Sequence, residues 1–419
     1  MARRVGCRQD RVVVVIKDER DAVEMTGVEI VEVPGHLLFM TDAELLDRGR
    51  LRDGQLIDSA QPKPRKQLRV AMVGAWGIPC GIATYAEALW PEVGALVGDW
   101  CVFAEDNHGV GDSEHVKAGL WKRGQPMGDL LKALYDYNPD AVLIQHEYGL
   151  FPDARHWLSL MSRLKPLRPI VTMHSVYRHA DKGICEASTP EMVVHSELAK
   201  QVLRDKGIDH KPIHVIKHGC GPVAAKRLYN LYRTPHRFMQ FGFGFRYKNW
   251  EASIGAVALL KKELPDIFFT GLFSEGMFSM QEHDRYHAEL LALSEKLGVA
   301  DHIAIVRGYQ SETSLDSFLG TNAVACFPYQ NDPNHVVYGA SGAARRAMQA
   351  GIPVVVSGVP HFADLGDVCP QADSASSLAD HVKRLLTDPA ARKAALESQL
   401  TFMRDHSWAN QAKAYVDLL

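Results

Sequence analysis

The sequence predicts an α/β protein with two parallel sheets. The main observation is an alternation: short apolar or β-branched runs alternate with helix-prone stretches from Leu68 to Ser357. The alternation breaks once, at residues 222–236 (PVAAKRLYNLYRTPH), which reads as a connection between domains. Length agrees, since 419 residues exceed one ordinary α/β domain and suit two. The expected boundaries are 1–66 for an N-terminal extension and linker, 67–225 for the first α/β domain and 226–419 for the second. The last helix of the second domain has the reach to cross back.

The extension reads as β-rich. Arg11 to Lys17 (RVVVVIK) suits a strand, and Val28 to Met40 suits two more, broken at Pro34-Gly35. Ala43 to Leu51 is charged and helix-prone, and Gln61 to Gln67 (QPKPRKQ) is a Pro-rich basic linker. Its plain reading is an appendage packed on the main body; the sharper one is a module that docks an acceptor or partner.

In the first domain, Arg69 to Trp76 (RVAMVGAW) is a buried strand by its continuous apolar run. Gly77, Pro79 and Gly81 form the next loop, and a helix runs from Ile82 to Leu89. A strand, a glycine loop and a helix start turn backbone N–H groups toward an anion, although many glycine turns are purely steric. Further strands cover Ala141 to Gln145, Pro169 to Met173, Glu191 to His195 and Pro212 to Ile216. They lead into His146-Glu147, His174, His195-Ser196 and His218-Gly219. In open parallel sheets that edge binds ligands.

The second domain opens with Phe238 to Phe243 (FMQFGF), which runs into Gly244-Phe245-Arg246-Tyr247-Lys248 and a helix from Trp250 to Glu263. Strands follow at Asp266 to Leu272, Ile303 to Val306, Ala323 to Phe327 and Pro353 to Ser357. Helices fill Arg285 to Leu297, Glu312 to Leu319, a stretch from Ser341-Gly342 to Gly351, and the tail after Ala375.

Composition narrows the function. Hydrophobic residues make up 46% and charged residues 23%, as in a globular protein with real cores. A net charge of −3 gives no global pull toward nucleic acid or anionic membrane. Seven cysteines without a CxxC pair suggest reduced thiols in a cytoplasmic compartment. The Met1-Ala2-Arg3-Arg4 start lacks an apolar signal core, and no apolar run reaches spanning length.

Several motifs then resemble retaining glycosyltransferases of family 4. They are GIPCGIATYAEAL (Gly77 to Leu89), QHEYGLF (Gln145 to Phe151), VTMHSV (Val171 to Val176) and VVHSELAKQVL (Val193 to Leu203) in the first half. In the second half they are FGFGFRYKNWE (Phe241 to Glu251), GYQSE (Gly308 to Glu312), Pro328-Tyr329 and YGASGAARRAMQAGIPVVVS (Tyr338 to Ser357). The series spans roughly residues 68 to 370 in order. The resemblance implies the GT-B fold, two Rossmann-like domains facing across a cleft, here with a small N-terminal β-rich extension.

It also implies a site for a nucleotide-diphosphate sugar. Charge on the leaving diphosphate must be stabilised. No Asp-x-Asp pair stands at a strand end, so the expectation is no metal and no cofactor beyond the donor substrate. Lys248 is the candidate cation, with Arg246 as helper. Ser341-Gly342 would offer a helix N-terminus to the distal phosphate, and Gly81 would approach from the first domain. Gly308 and Tyr309 match the loop that meets the base. His174 is the expected group beside the reacting sugar, with Glu147, after His146, as a hydroxyl ligand or general base. One departure stands out: two glutamates common in the family are replaced by Tyr338 and Arg346. The acceptor stays open among a glycan, a metabolite, a lipid-linked acceptor, a protein and modified DNA. Alternatives are a DNA-base glycosyltransferase, a non-catalytic nucleotide-sugar binder, and another GT-B enzyme such as an epimerase or phosphorylase; no pyridoxal-phosphate lysine motif is present.

Overall fold

The computed structural model describes residues 63–106, 111–179, 190–208, 211–223, 236–275, 280–331 and 336–419, preceded by the backbone of four short strands. Of these, β1 (Val12–Val14) pairs antiparallel with β2 (Val23–Met25), and β3 (Leu51–Arg52) with β4 (Gln55–Leu56). The strand expected over Arg11 to Lys17 contains β1. The strands expected within Val28 to Met40, the helix ahead of Leu51 and most of the 222–236 connection lie outside the described residues.

The first domain holds a parallel sheet of β5 (Arg69–Gly74), β6 (Asp99–Glu105), β7 (Val116–Trp121), β8 (Ala141–His146), β9 (Pro169–Met173), β11 (Glu191–Val194) and β12 (Ile213–Val215). The short β10 (Ser175–Val176) leaves that sheet after β9. Helices α1 (Gly81–Gly94), α2 (Gly128–Tyr137), α3 (Ala154–Leu164) and α4 (Glu197–Asp205) link the strands. Every residue of β8 is buried, so helices cover both faces and the strand reads as one apolar run. Asp153 caps α3 through the amides of Arg155 and His156, and Ser196 caps α4 through Ala199.

The second domain holds β13 (Arg237–Phe243), β14 (Phe268–Ser274), β15 (Ile303–Arg307), β16 (Val324–Phe327) and β18 (Val354–Val356), again all parallel. Its helices are α5 (Trp250–Leu260), α6 (Met280–Lys296), α7 (Glu312–Thr321), α8 (Gly342–Gln349), α9 (Ala375–Thr387) and α10 (Pro389–Asp405). The strand expected from Asp266 starts at Phe268, because Ile267 closes a turn onto Leu264.

Strand order decides where ligands can bind. The first sheet runs β12-β11-β9-β8-β5-β6-β7, so the chain reverses direction between β5 and β8. The second runs β15-β14-β13-β16-β18 and reverses between β13 and β16. Crevices open beyond the carboxyl ends of strands at such reversals. Loops 75–80 and 147–152 flank the first crevice; loops 244–249 and 328–331 flank the second.

Three contacts fix one domain against the other. First, β10 pairs antiparallel with β17 (Tyr338–Gly339) of the second domain. Any side chain at 339 would lie 2.6 Å from the His174 carbonyl oxygen, so glycine is required for this approach. Second, the two interdomain crossings pair at Cys220 and Ser407, where Cys220 N–H donates to His406 O and Trp408 N–H donates to Cys220 O. Third, α11 (Trp408–Val416) returns to the first domain and packs on α1. The Tyr415 hydroxyl there lies 3.0 Å from that of Tyr85 and 2.9 Å from Thr172 Oγ1, all buried. Tyr415→Phe should cost about 1–3 kcal/mol by stranding two buried hydroxyls. Urea denaturation checks this, and an unchanged midpoint would show that Tyr415 is not a structural tie.

Candidate functional site

Lys248 stands at the reversal point of the second sheet. It ends a single helical turn after β13, and Asn249 in left-handed conformation then caps α5 by accepting from Ala252 N–H. Gln240, buried in β13, donates to the Lys248 carbonyl at 2.8 Å and accepts from Ser253 at 2.7 Å. The side chain is 6% exposed, and its ammonium lies 5.1 Å from the Tyr329 ring centre. It meets no carboxylate among the described residues, and burial lowers its pKa. Gly242, at φ 131°, makes room: a side chain there would come within 2.5 Å of the ammonium. His361 lies in the same enclosure, pushed down to about 3 by burial and by Lys248. Its Nδ1 has no hydrogen-bond partner among the described residues.

The start of α8 lies beside the first domain. Ser341 is buried and accepts from Ala344 N–H, while the remaining first-turn amides have no partner within the helix. Gly342 packs close to the His218 ring. Arg345, fully buried, donates to the carbonyls of Ser341 and His218 and pairs with Asp364. It therefore fixes the helix start against the interdomain crossing. Opposite, α1 begins at Gly81, whose N-cap, Cys80, makes no side-chain cap, and space around Gly81 is open. Tyr309, following Gly308 at φ 93°, reaches across toward Thr84 of α1. Gly81, Gly308, Tyr309, Ser341, Gly342 and Lys248 thus all stand at facing loop ends or helix starts.

Other expected residues are placed differently. Arg246 is held by Glu282 and Glu289 and lies over the Tyr286 ring, so its charge is committed to α6. Arg346 pairs with Glu312 and Asp316 and ties α8 to α7. Tyr338 lies in the β10–β17 ribbon, where its hydroxyl accepts from Arg178 Nε at 2.9 Å. Arg178 also pairs with Asp205. The residues that replace the two glutamates are therefore both engaged by protein groups.

His174 has both ring nitrogens engaged inside the first domain. Nε2 lies 2.9 Å from Gln145 Oε1, and Nδ1 lies 3.4 Å from His195 Nε2. His195 Nδ1 faces the Ile216 carbonyl at 2.9 Å and must donate to it. Neutral His195 then accepts from His174 Nδ1–H. The Gln145 amide nitrogen, otherwise without a partner, is the donor that suits His174 Nε2. Against the second domain, His174 presents its carbonyl at Gly339. His146 packs among the rings of Tyr148, Phe151 and Trp157 as a core residue. Glu147 is part-buried; it accepts from Tyr148 N–H at 3.1 Å and from Ser175, and burial raises its pKa.

The sequence reading missed Tyr85, whose ring touches His174, His195 and His218. It also missed Gln240, Arg345 and His361. A glutamine inside the apolar run FMQFGF was the available signal for Gln240.

Solved structures share this architecture. Trehalose-6-phosphate synthase OtsA matches with a TM-score of 0.64 and 12% identity, over 83% of this chain and 98% of its own. The Anabaena protein HepE in complex with UDP matches with 0.62 and 10%, over 84% and 99%. Sucrose-phosphate synthase from Thermosynechococcus elongatus matches with 0.61 and 16%, over 84% and 98%. No protein-family model and no curated protein sequence matches the chain. The fold is the GT-B arrangement of two Rossmann-like domains.

Gly242→Ala should displace the Lys248 ammonium and, if a nucleotide diphosphate binds there, weaken its binding by about tenfold or more. Titration calorimetry with UDP, GDP and ADP reads it; unchanged affinity for the nucleotide that binds would place the phosphates elsewhere. The buried histidines give a pH dependence. Burial holds His146 to about 3 and His195 to about 4, and lowers His174 and His218. The unfolded chain therefore binds more protons below pH about 6.5, and stability drops from there toward pH 4. Denaturation midpoints at pH 7.5 and 5 should differ in that sense, with a smaller difference in His195→Asn.

Proposed function

We propose that the protein is a retaining glycosyltransferase related to family 4. It moves a sugar from a nucleotide-diphosphate sugar to an acceptor hydroxyl. The observation that carries this reading is the buried Lys248 ammonium, which meets no carboxylate among the described residues, at a sheet reversal point in a fold shared with UDP-bound HepE. A buried cation without a counter-charge is costly, and a diphosphate supplies that charge.

In this reading the diphosphate lies between Lys248 and the first turn of α8, with Ser341-Gly342 beneath the distal phosphate. Gly81 borders it from the first domain, and Gly308 and Tyr309 flank the base. Lys248 neutralises charge as the anomeric carbon–oxygen bond breaks. The acceptor hydroxyl attacks from the face the diphosphate leaves, and its proton passes to a diphosphate oxygen. Configuration is then retained without a protein base. In this reading Lys248 and the α8 N-terminus take the place of a divalent cation at the diphosphate. His174 acts here by positioning, through its carbonyl and its ties to Gln145 and His195. Arg246, Tyr338 and Arg346 shape the walls, and Glu147 binds the acceptor. A cytoplasmic setting fits the cysteine usage, and no helix among the described residues is long and apolar enough to cross a membrane.

A non-catalytic nucleotide-sugar binder is the second reading. The engagement of Tyr338 and Arg346 by protein groups favours it. Donor hydrolysis or transfer separates the two, since a binder shows neither.

A thermal-shift panel of UDP, GDP and ADP and their hexose conjugates tests the donor site, with and without EDTA. A ligand at 100 times its dissociation constant should add about 2.7 kcal/mol. Lys248→Ala should abolish the shift, and EDTA should not. No shift with any nucleotide would overturn the reading.

A further inference from the structure

The reversal point of the first sheet carries a second group of side chains, centred on the loop after β8. Glu147 follows β8 directly, and Tyr148 follows Glu147. The Tyr148 and Tyr177 rings stand edge to face, 5.3 Å apart. Ser175 lies close to both Glu147 and Tyr177, and its hydroxyl offsets part of the upward push that burial gives the Glu147 carboxyl. Glu147 also accepts from the Tyr148 amide, and no cation pairs with it among the described residues. From the other domain, Tyr247 faces this group. It stacks on Phe245, stands edge-on to Tyr329, and lies within electrostatic reach of Tyr177, Glu147 and Lys248. Tyr177, Tyr148 and Tyr247 are each half-buried.

We propose that Glu147, Tyr148 and Tyr177, with Tyr247 across the cleft, bind the ring of a carbohydrate acceptor. This rests on the transferase reading above. Aromatic faces suit the C–H face of a pyranose, and a carboxylate with spare lone pairs suits a pair of hydroxyls. The fixed donors on Glu147 hold its orientation without using up its acceptor capacity. A cationic acceptor is disfavoured by Lys248 nearby. A nucleobase or peptide serine offers no vicinal hydroxyl pair to the carboxylate. Tyr247 precedes Lys248 in the chain and lies within electrostatic reach of Glu147, so one side chain marks the seam where donor and acceptor meet.

The test uses the full chain with the nucleotide sugar that gives the largest melting shift. Transfer is measured to glucose, glucose 6-phosphate and maltose, and to a serine peptide and a 5-hydroxymethylcytosine oligonucleotide. The expected result is transfer to at least one of the sugars and to neither of the others. Glu147→Gln and Tyr177→Ala should raise the acceptor KM by about tenfold or more. Nucleotide affinity should change by less than about twofold in both. Transfer to the peptide or oligonucleotide, transfer to no sugar, or an unchanged acceptor KM in Glu147→Gln would each overturn the proposal. Absence of any melting shift is a separate result; it removes the donor reading, and this proposal with it.

Discussion

A buried ammonium that meets no carboxylate among the described residues is the constraint around which the second domain is arranged. Lys248 is kept out of water by Tyr329 and by a glycine whose backbone leaves room for nothing else. Its carbonyl is held by Gln240, which Ser253 holds in turn. Desolvation opposes the charge, and the Tyr329 ring and Tyr247 partly offset it. Such an arrangement suits the arrival of an anion better than it suits stability.

The two domains supply the rest of the site by being pinned in several places. Arg345 and Asp364 fasten the α8 start to the first crossing, and Trp408 closes over Gly219 at the second. Breaking a buried ion pair of this type costs about 3–5 kcal/mol, so the helix start is well fixed. The β10–β17 ribbon adds a third tie in front, where Tyr338 meets Arg178. Tyr338 and Arg346 thus act on the protein itself, which gives a physical reason for tyrosine and arginine at these two positions.

Much of the fold was legible. Strands such as β8 and β13 are buried runs that only a covered parallel sheet uses, and glycine loops mark their ends. Within the two parallel sheets, two strands escaped: β6 is an apolar run (DWCVFAE) passed over between motifs, and β7 is an edge strand with exposed positions and weak patterning. Lys248, Glu147 and Ser341 were legible as positions, because loop and helix-start residues announce themselves in sequence. Their partners were not. Whether Arg246 faces a phosphate or Glu289 depends on α6, 36 to 43 residues away in the chain. The two engaged nitrogens of His174 depend on strands brought together only by the sheet, and the β10–β17 ribbon pairs segments from different domains.

The most direct measurement is proton uptake on nucleotide binding. Titration calorimetry at pH 9 in buffers of different ionisation enthalpy, with UDP, GDP or ADP, reads it. Because burial lowers the Lys248 pKa and an adjacent diphosphate raises it again, binding should take up protons. That uptake should vanish in Lys248→Met. Binding without uptake, or uptake that persists in Lys248→Met, would contradict a diphosphate at Lys248.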